Sequence, residues 1–450
     1  MAGLAAAAAD PMIDPFSLVW DLSVALIVSG AVFCALAPRV GASDLHDYFA
    51  GRHLALFVLV VGLAARGVLF ADAPIVEDDY YRYLFDGALT ANGFNPFAFS
   101  PQDALSGAAV PDGVAALAAV GASVVEAINY PGIRTIYPPT AQAAFALAYW
   151  IEPWSLDALR LVLLSADLAV FLLLAALLKR FARSALWLIL YWWNPLVLYS
   201  TYQAAHMDVL MLPLIVGALH LVIRRRPQMA VTALALAAGV KVWPALLIPS
   251  ALRYRRSDWR PILSGGAVGG GLIAVLFLPV LKAGVGGDSG FAVYTQYWQN
   301  NAPLLAILKA ALPGDAATAN AVARGLLGLV AVAVAFAVNR QPAHDEATVM
   351  RRFAIVAVTA FLLSPAQFPW YFLWVAPFLA IVPNPALLLL TALLPLWLIR
   401  AWLELRGGME TEAGLLLYRV LPFVQFVPVW LWLAWRGRRY FRCLRRGIAV

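Results

Sequence analysis

The chain has 450 residues, of which 63% are hydrophobic and 13% charged, with a formal charge of +7 and a mean hydropathy of +0.80. That much apolar surface exceeds what a soluble domain of this length can bury, so a soluble enzyme is excluded and a membrane protein is indicated. The positive charge lies in short Arg clusters between apolar runs instead of one stripe or patch, which argues against a nucleic-acid partner.

The N-terminal stretch MAGLAAAAADPMIDPF has no basic region, so residues 1–15 read as a short tail and not as a cleaved signal. Beyond it, apolar runs of about 20 residues match the thickness of a bilayer core and satisfy their own backbone hydrogen bonds as helices. Basic clusters at 179–183, 224–226, 253–260, 351–352 and 436–446 mark the cytoplasmic side. Between them the pattern predicts spans near 16–38, 54–72, 157–178, 185–201, 206–223, 261–281, 318–339, 353–367, 370–383, 386–402 and 415–436. Segment 229–252 has Arg clusters at both ends and must enter and leave on one face. It is therefore read as two short helices broken at Gly239 to Pro244. The expected fold is all-α, a polytopic integral membrane protein of about 11–13 transmembrane helices. It forms a single domain over 1–450, with its N-terminus outside and its C-terminus inside.

In this topology residues 73–156 form one long extracytoplasmic loop, far longer than a connector needs. Within it TAQAAFALAYW, 140–150, is too short to span and is expected to be an interfacial helix, started by Tyr137, Pro138 and Pro139. Residues 283–303 and the turn QFPWY at 367–371 also face outside. Cys34 and Cys443 indicate no disulfide framework, and the five histidines form no metal cluster. The Gly-rich stretch 264–271 lies in an expected span and lacks the strand-and-helix setting of a phosphate loop, so it reads as a close-packing face.

The charge in this apolar chain is concentrated in VEDDYYRYLFDG, 76–87, which holds Glu77, Asp78, Asp79, Arg82 and Asp86. If a helix starts here, Asp78 can cap it, while Asp79, Arg82, Tyr83 and Asp86 recur at i, i+3, i+4 and i+7 and share a face. A solvated loop face would also be charged. A carboxylate at the outer membrane edge, however, suits an enzyme with a lipid-anchored donor and a hydroxyl acceptor, because Asp can take the acceptor's proton. Arg82, Arg134 in YPGIRTIYPPTAQ, and Lys241 in the broken segment are the candidates to hold a phosphate leaving group. A snorkelling Lys241 and a plain loop charge at Arg134 are the structural alternatives. His206 and Asp208 could orient a sugar or phosphate, or serve as a helix cap and an interfacial residue. Trp370 and Tyr371 could stack on a sugar ring or belong to an interfacial aromatic belt.

The order of these motifs resembles the GT-C superfamily of membrane glycosyltransferases. An acidic pair in EDDYYRYLFDGALTANGFNPF is followed by IRTIYPPTAQ, NPLVLYSTYQAAHMD, GVKVWPALLIP and PWYFLWVAPF. The pattern looks most like bacterial polyprenyl-phosphate-mannose-dependent mannosyltransferases, over roughly residues 50–385. The resemblance implies a polyprenyl-phosphate sugar donor, inversion at the anomeric carbon, a GT-C-like helical fold and a site facing the extracytoplasmic side of the cell membrane. The DxxRY spacing of related enzymes falls on Asp79, Arg82 and Tyr83, making Asp79 the first choice as general base and Asp78 the second. Tyr137, His206, Asp208, Trp370 and Tyr371 join the substrate-binding candidates. Lys241, with Arg134, would hold the lipid phosphate while the 283–303 loop closes over a lipid or glycan acceptor. One departure is the extra span before residue 54, which leaves the N-terminus outside where relatives usually begin inside. Two adjacent Asp could help hold a divalent cation, the only cofactor in question.

Two other functions fit an apolar chain with charge at its edge. A transporter or lipid flippase would use intramembrane charges and broken helices as a substrate path, although no inverted repeat is visible. A polysaccharide polymerase or ligase would also use lipid-linked sugars, but would be expected to rely on basic residues in its outer loops.

Overall fold

A computed structural model describes residues 15–43, 51–71, 73–255, 260–287 and 289–445. The predicted N-terminal tail lies outside the described residues apart from Pro15. Helix is the only extended regular structure among the described residues; Tyr254 with Ala343 and Asn300 with Ala366 form isolated bridges.

Six helices are long and apolar enough to cross a bilayer: Phe16–Gly41, Gly51–Phe70, Leu156–Arg180, Ala316–Ala337, Pro385–Leu405 and Glu412–Arg438. Pro195–Gln203 and Met207–Ile223 add a seventh if they count as one span, bent by 107° at its break. The eleven apolar runs read from sequence are thus not eleven unbroken spans. Several are interrupted by prolines, which lack an amide and start short helices: Pro195, Pro244, Pro369, Pro377 and Pro385 each occupy a first turn. The expected span 370–383 is accordingly a 3₁₀ turn, Pro369–Trp374, followed by the short helix Ala376–Ile381. The break expected in 229–252 is present, between Pro227–Ala238 and Trp243–Leu247.

The long loop is structured. It contains helices Asp79–Ala91, Pro101–Ser106, Asp112–Val120, Ala122–Val125 and Pro139–Ile151. Its outer part has a small core of its own around Phe85, Leu89, Val114, Val125 and Ile128. Helix Asp79–Ala91 lies against Pro139–Ile151 at a close crossing, since a Cβ on Gly87 would sit 2.5 Å from the Phe145 carbonyl oxygen. Pro139 opens its helix as predicted. The Gly239 carbonyl accepts from the amides of Thr140 (2.8 Å) and Ala141 (3.1 Å), so the broken segment caps this helix and is fixed beside it. Gly265 and Gly269 face Leu252 and Val231, the close packing expected of the Gly-rich run.

Inside the bundle a buried ion pair joins two spans. Arg66 Nε donates to Asp167 Oδ2 at 2.8 Å, Tyr191 and Tyr202 donate to the same carboxylate at 2.6 and 2.7 Å, and Arg66 Nη1 reaches the Trp192 carbonyl. Pairing of this kind is what lets a charge be buried among apolar helices. The clamp also ties Gly51–Phe70 and Leu156–Arg180 to the irregular chain that leads into the site.

Candidate active site

Asp79 is the first residue of its helix, and Arg82, Tyr83 and Asp86 follow on the face that the helical period predicts, all three buried. Asp78 occupies the cap position but makes no side-chain capping bond. Its Oδ1 instead accepts from Asn129 Nδ2 at 2.6 Å, which ties the acidic pair to the loop. Asp86 accepts from Thr135 Oγ1 and from Gln142 Nε2 (3.1 Å); burial lifts its carboxyl to about 6 against the pull of Arg82 and these two donors. Arg82 donates to the carbonyls of Ile133 (2.9 Å) and Tyr130 (3.3 Å). Arg82 and Asp86 therefore fasten the 130–142 segment onto the acidic helix.

The facing wall comes from three chain breaks. The bent pair passes through a π turn, Tyr199–Gln203, and a left-handed Ala205 (φ 52°), which presents His206 and Asp208 inward; neither side chain caps a helix. Lys241 projects from the break after Ala238. Its Nζ donates to Asp208 Oδ1 at 2.8 Å and lies 3.8 Å from the Tyr371 ring centroid, so it is held in the site instead of snorkelling outward. Trp374 Nε1 donates to the same Asp208 oxygen at 2.7 Å. Trp370 and Tyr371 are buried at 5% and 3% exposure and do not form a lipid-facing belt. Trp370 stacks on His206 at 3.7 Å, and the Tyr371 and Tyr294 hydroxyls are 3.0 Å apart.

The two walls meet at His206. Its Nδ1 lies 3.2 Å from the Tyr83 hydroxyl and 3.9 Å from Asp79 Oδ2, and its Nε2 lies 3.5 Å from Glu77 Oε2. The Asp79 side chain keeps 30% of its surface open to the cavity. Burial raises its carboxyl to about 6, helped by the charge of Asp78 and opposed by Lys241, a hydrogen bond from Tyr137 and Arg82. A carboxylate tuned toward neutrality is suited to general-base work.

Between the walls is a cavity of about 1040 Å³. Asp78, Asp79, Tyr83, Tyr137, Asp208, Lys241, Trp370 and Tyr371 line it, as do Leu327, Gly328, Ala331, Leu363 and Leu405, together with Arg324 and Glu404. Arg82, Arg134 and His206 do not line it. Arg134 Nη1 donates to the carbonyls of Phe97 (3.2 Å) and Ala283 (2.8 Å), bracing two loops. Sequence reasoning missed Tyr294, Trp374 and the inward role of Glu77. Trp374 was findable, three residues beyond Tyr371 on a 3₁₀ turn, and Glu77 adjoins the acidic pair. Tyr294 had no signal beyond its place in a flagged loop. Among the described residues no group of three or more His, Cys, Asp or Glu side chains is arranged to hold a metal ion.

The model of glycosyltransferase family 87 matches residues 135–365, slightly more than half of the chain. The chain belongs to that family. It is a multi-pass membrane glycosyltransferase, which sets aside the transporter reading. The match includes His206, Asp208 and Lys241, and it stops short of the acidic helix on one side and of Trp370 and Tyr371 on the other. No curated protein and no solved structure matches the chain.

Proposed function

We propose that this glycosyltransferase moves a single sugar, mannose by its resemblance to the GT-C mannosyltransferases, from polyprenyl phosphate to a hydroxyl of a lipid or glycan acceptor on the extracytoplasmic side of the cell membrane. One observation carries the reading: a carboxylate and an ammonium line one cavity together with the apolar side chains Leu327, Ala331 and Leu363. A sugar phosphate joined to a polyprenyl chain has that combination of polarities.

The prenyl chain lies against Leu327, Ala331 and Leu363, and the phosphate pairs with Lys241, displacing part of its bond to Asp208. Asp208 and Trp374 keep the ammonium aimed when the donor is absent. The acceptor oxygen attacks the anomeric carbon from the Asp79 side, its proton passes to the Asp79 carboxylate, and the bond from carbon to phosphate oxygen breaks. Attack and departure on opposite faces invert the anomeric centre. Trp370 and Tyr371 wall the sugar, while Asp78, held by Asn129, borders the same space.

The test is transfer from radiolabelled polyprenyl-phosphate mannose in membranes containing wild type, Asp79→Asn or Asp78→Asn at matched expression. Loss in Asp79→Asn alone supports the assignment, and full transfer by both variants overturns a carboxylate base. Consumption of an oligosaccharide donor in place of a single-sugar donor would make the enzyme a polymerase or ligase.

A further inference from the structure

Asn300, in the 283–303 loop, lines the cavity, yet the proposed transfer makes no use of it. Its backbone is clamped on both sides: the amide donates to the Pro365 carbonyl (3.4 Å), and the carbonyl accepts from the Gln367 amide (2.9 Å). The next residue, Asn301, is left-handed (φ 50°), and its Nδ2 donates to the Gln367 carbonyl (2.9 Å) and to Gln425 Oε1 (2.8 Å) of the last helix. These bonds hold residue 300 at a fixed place on the wall.

The side chain has one orientation. Trp397 Nε1 lies 3.0 Å and Arg400 Nη1 2.9 Å from the same terminal atom of the Asn300 amide. An indole and a guanidinium can only donate, so that atom is the oxygen and the NH2 group is turned away from both. Among the described residues nothing accepts from Nδ2. Arg400 is buried at 7% exposure over the Tyr418 ring, at 3.8 Å, and among the described residues it forms no ion pair; Glu404, one turn further along its helix, lies beyond ion-pair distance. The surroundings of the amide are aromatic. Trp397 also lines the cavity and meets Trp370 edge-on at 5.6 Å and Phe368 at 5.9 Å, while Trp370 stacks on His206, which lies 3.9 Å from Asp79. The wall is therefore continuous from Asn300 to the acidic helix.

We propose that Asn300 is a specificity-determining residue that donates from Nδ2 to a hydroxyl oxygen of a sugar packed against Trp397, with Trp397 and Arg400 holding the amide in that orientation. The inference rests on reading the cavity as the site of sugar transfer. A sugar ring offers a C–H face that packs on aromatic carbon and hydroxyl oxygens at its rim that accept hydrogen bonds, which is what an aromatic corner with a neutral donor fits. An anion goes instead to the charged donors that line the same cavity, Lys241 and Arg324. Two sugars meet in the reaction, the one transferred and one on a glycan acceptor, and both present this chemistry.

The test uses the purified full-length enzyme and two substitutions that share one loss. Asn300→Asp keeps an oxygen for Trp397 and gives Arg400 a carboxylate, but has no N–H to donate; Asn300→Leu removes the oxygen and the donors together at nearly the same size. Both raise a KM about tenfold: that of polyprenyl-phosphate mannose if the transferred sugar is the one held, or that of octyl mannoside offered as acceptor if it is the acceptor's. Inhibition by sugarless polyprenyl phosphate is unchanged in both. Asn300→Asp melts no lower than wild type, whereas Asn300→Leu melts lower because two donors lose their acceptor. A raised KM in Asn300→Leu alone overturns the proposal, because the residue is then only a structural link, and a raised KM in Asn300→Asp alone overturns it as a charge effect. Both KM values within about twofold of wild type, or inhibition by polyprenyl phosphate weakened in step with the KM, overturn it as well. If Asn300→Leu does not fold, Asn300→Asp and the inhibition still decide. A wild type that uses no polyprenyl-phosphate mannose would remove the donor reading alone; binding of octyl mannoside, followed by tryptophan fluorescence, would then sustain the proposal if Asn300→Asp weakens it about tenfold and overturn it if nothing changes.

Discussion

The strongest consequence of the site is its pH dependence. The Asp79 carboxyl is raised from 3.8 to about 6, chiefly by burial. On the proposed role of Asp79 as base, which works as the carboxylate, transfer falls as pH drops through about 6; the ionised fraction is about nine-tenths at pH 7 and about one-tenth at pH 5, close to a tenfold loss of rate. Unfolding through Asp79 is not the cause. Its folded value lies above its unfolded one, so protonating this group favours the folded state. Asp86 is also raised to about 6 but does not line the cavity, so Asp86→Asn leaves the acid limb in place. Asp79→Asn removes the limb together with about 10²- to 10⁴-fold of the rate. Initial rates at saturating donor across this pH range, for wild type and both variants, are the assay. A wild-type rate flat from pH 5 to 7, or an Asp79→Asn enzyme within a few fold of wild type, would refute the reasoning.

Lys241→Met raises the donor KM at least tenfold and leaves the Asp208 carboxylate buried without its cation, which costs about 3–5 kcal/mol of stability. Adding Asp208→Asn restores melting temperature in detergent without restoring donor affinity. Arg66→Met strands Asp167, fully buried between two spans, at a similar cost of about 3–5 kcal/mol; thermal melts fall while donor KM of the surviving protein is unchanged. Gly87→Val forces the acidic helix away from Pro139–Ile151, since even a Cβ meets the Phe145 carbonyl at 2.5 Å. About 1–3 kcal/mol of overpacking follows, and because Asp79 moves with its helix, transfer drops further than stability alone explains; melting and rate measured on one preparation separate the two.

Legibility in the sequence followed the range of the interaction. The face of Asp79, Arg82, Tyr83 and Asp86 was readable because a helical period is local, and the break before Pro244 because Gly, Pro and flanking Arg clusters all lie within one segment. The role of Arg82 was not readable. Its partners are backbone carbonyls 48 and 51 residues away, which no motif announces. Arg66 and Asp167 are each lone charges in apolar runs, 101 residues apart, and only packing makes them a pair. The breaks within the apolar runs were hidden for a related reason: a hydropathy window averages over apolar residues and does not register where the helix stops.

Those stops are what build the site. A long helix at bilayer depth uses its backbone groups internally and offers only side chains on a cylinder. A break in the helix is tolerated there only where surrounding protein or a polar cavity satisfies the freed groups. Three breaks converge on one cavity: the π turn and Ala205 deliver Asp208, the gap after Ala238 delivers Lys241, and the turn at Pro369 delivers Trp370, Tyr371 and Trp374. The Gly239 carbonyl shows how a freed group is used, since it caps the Pro139 helix that packs on the acidic helix. The break that releases Lys241 is therefore also tied to the acidic helix, and the ammonium end and the carboxylate end of the site are held by one piece of backbone.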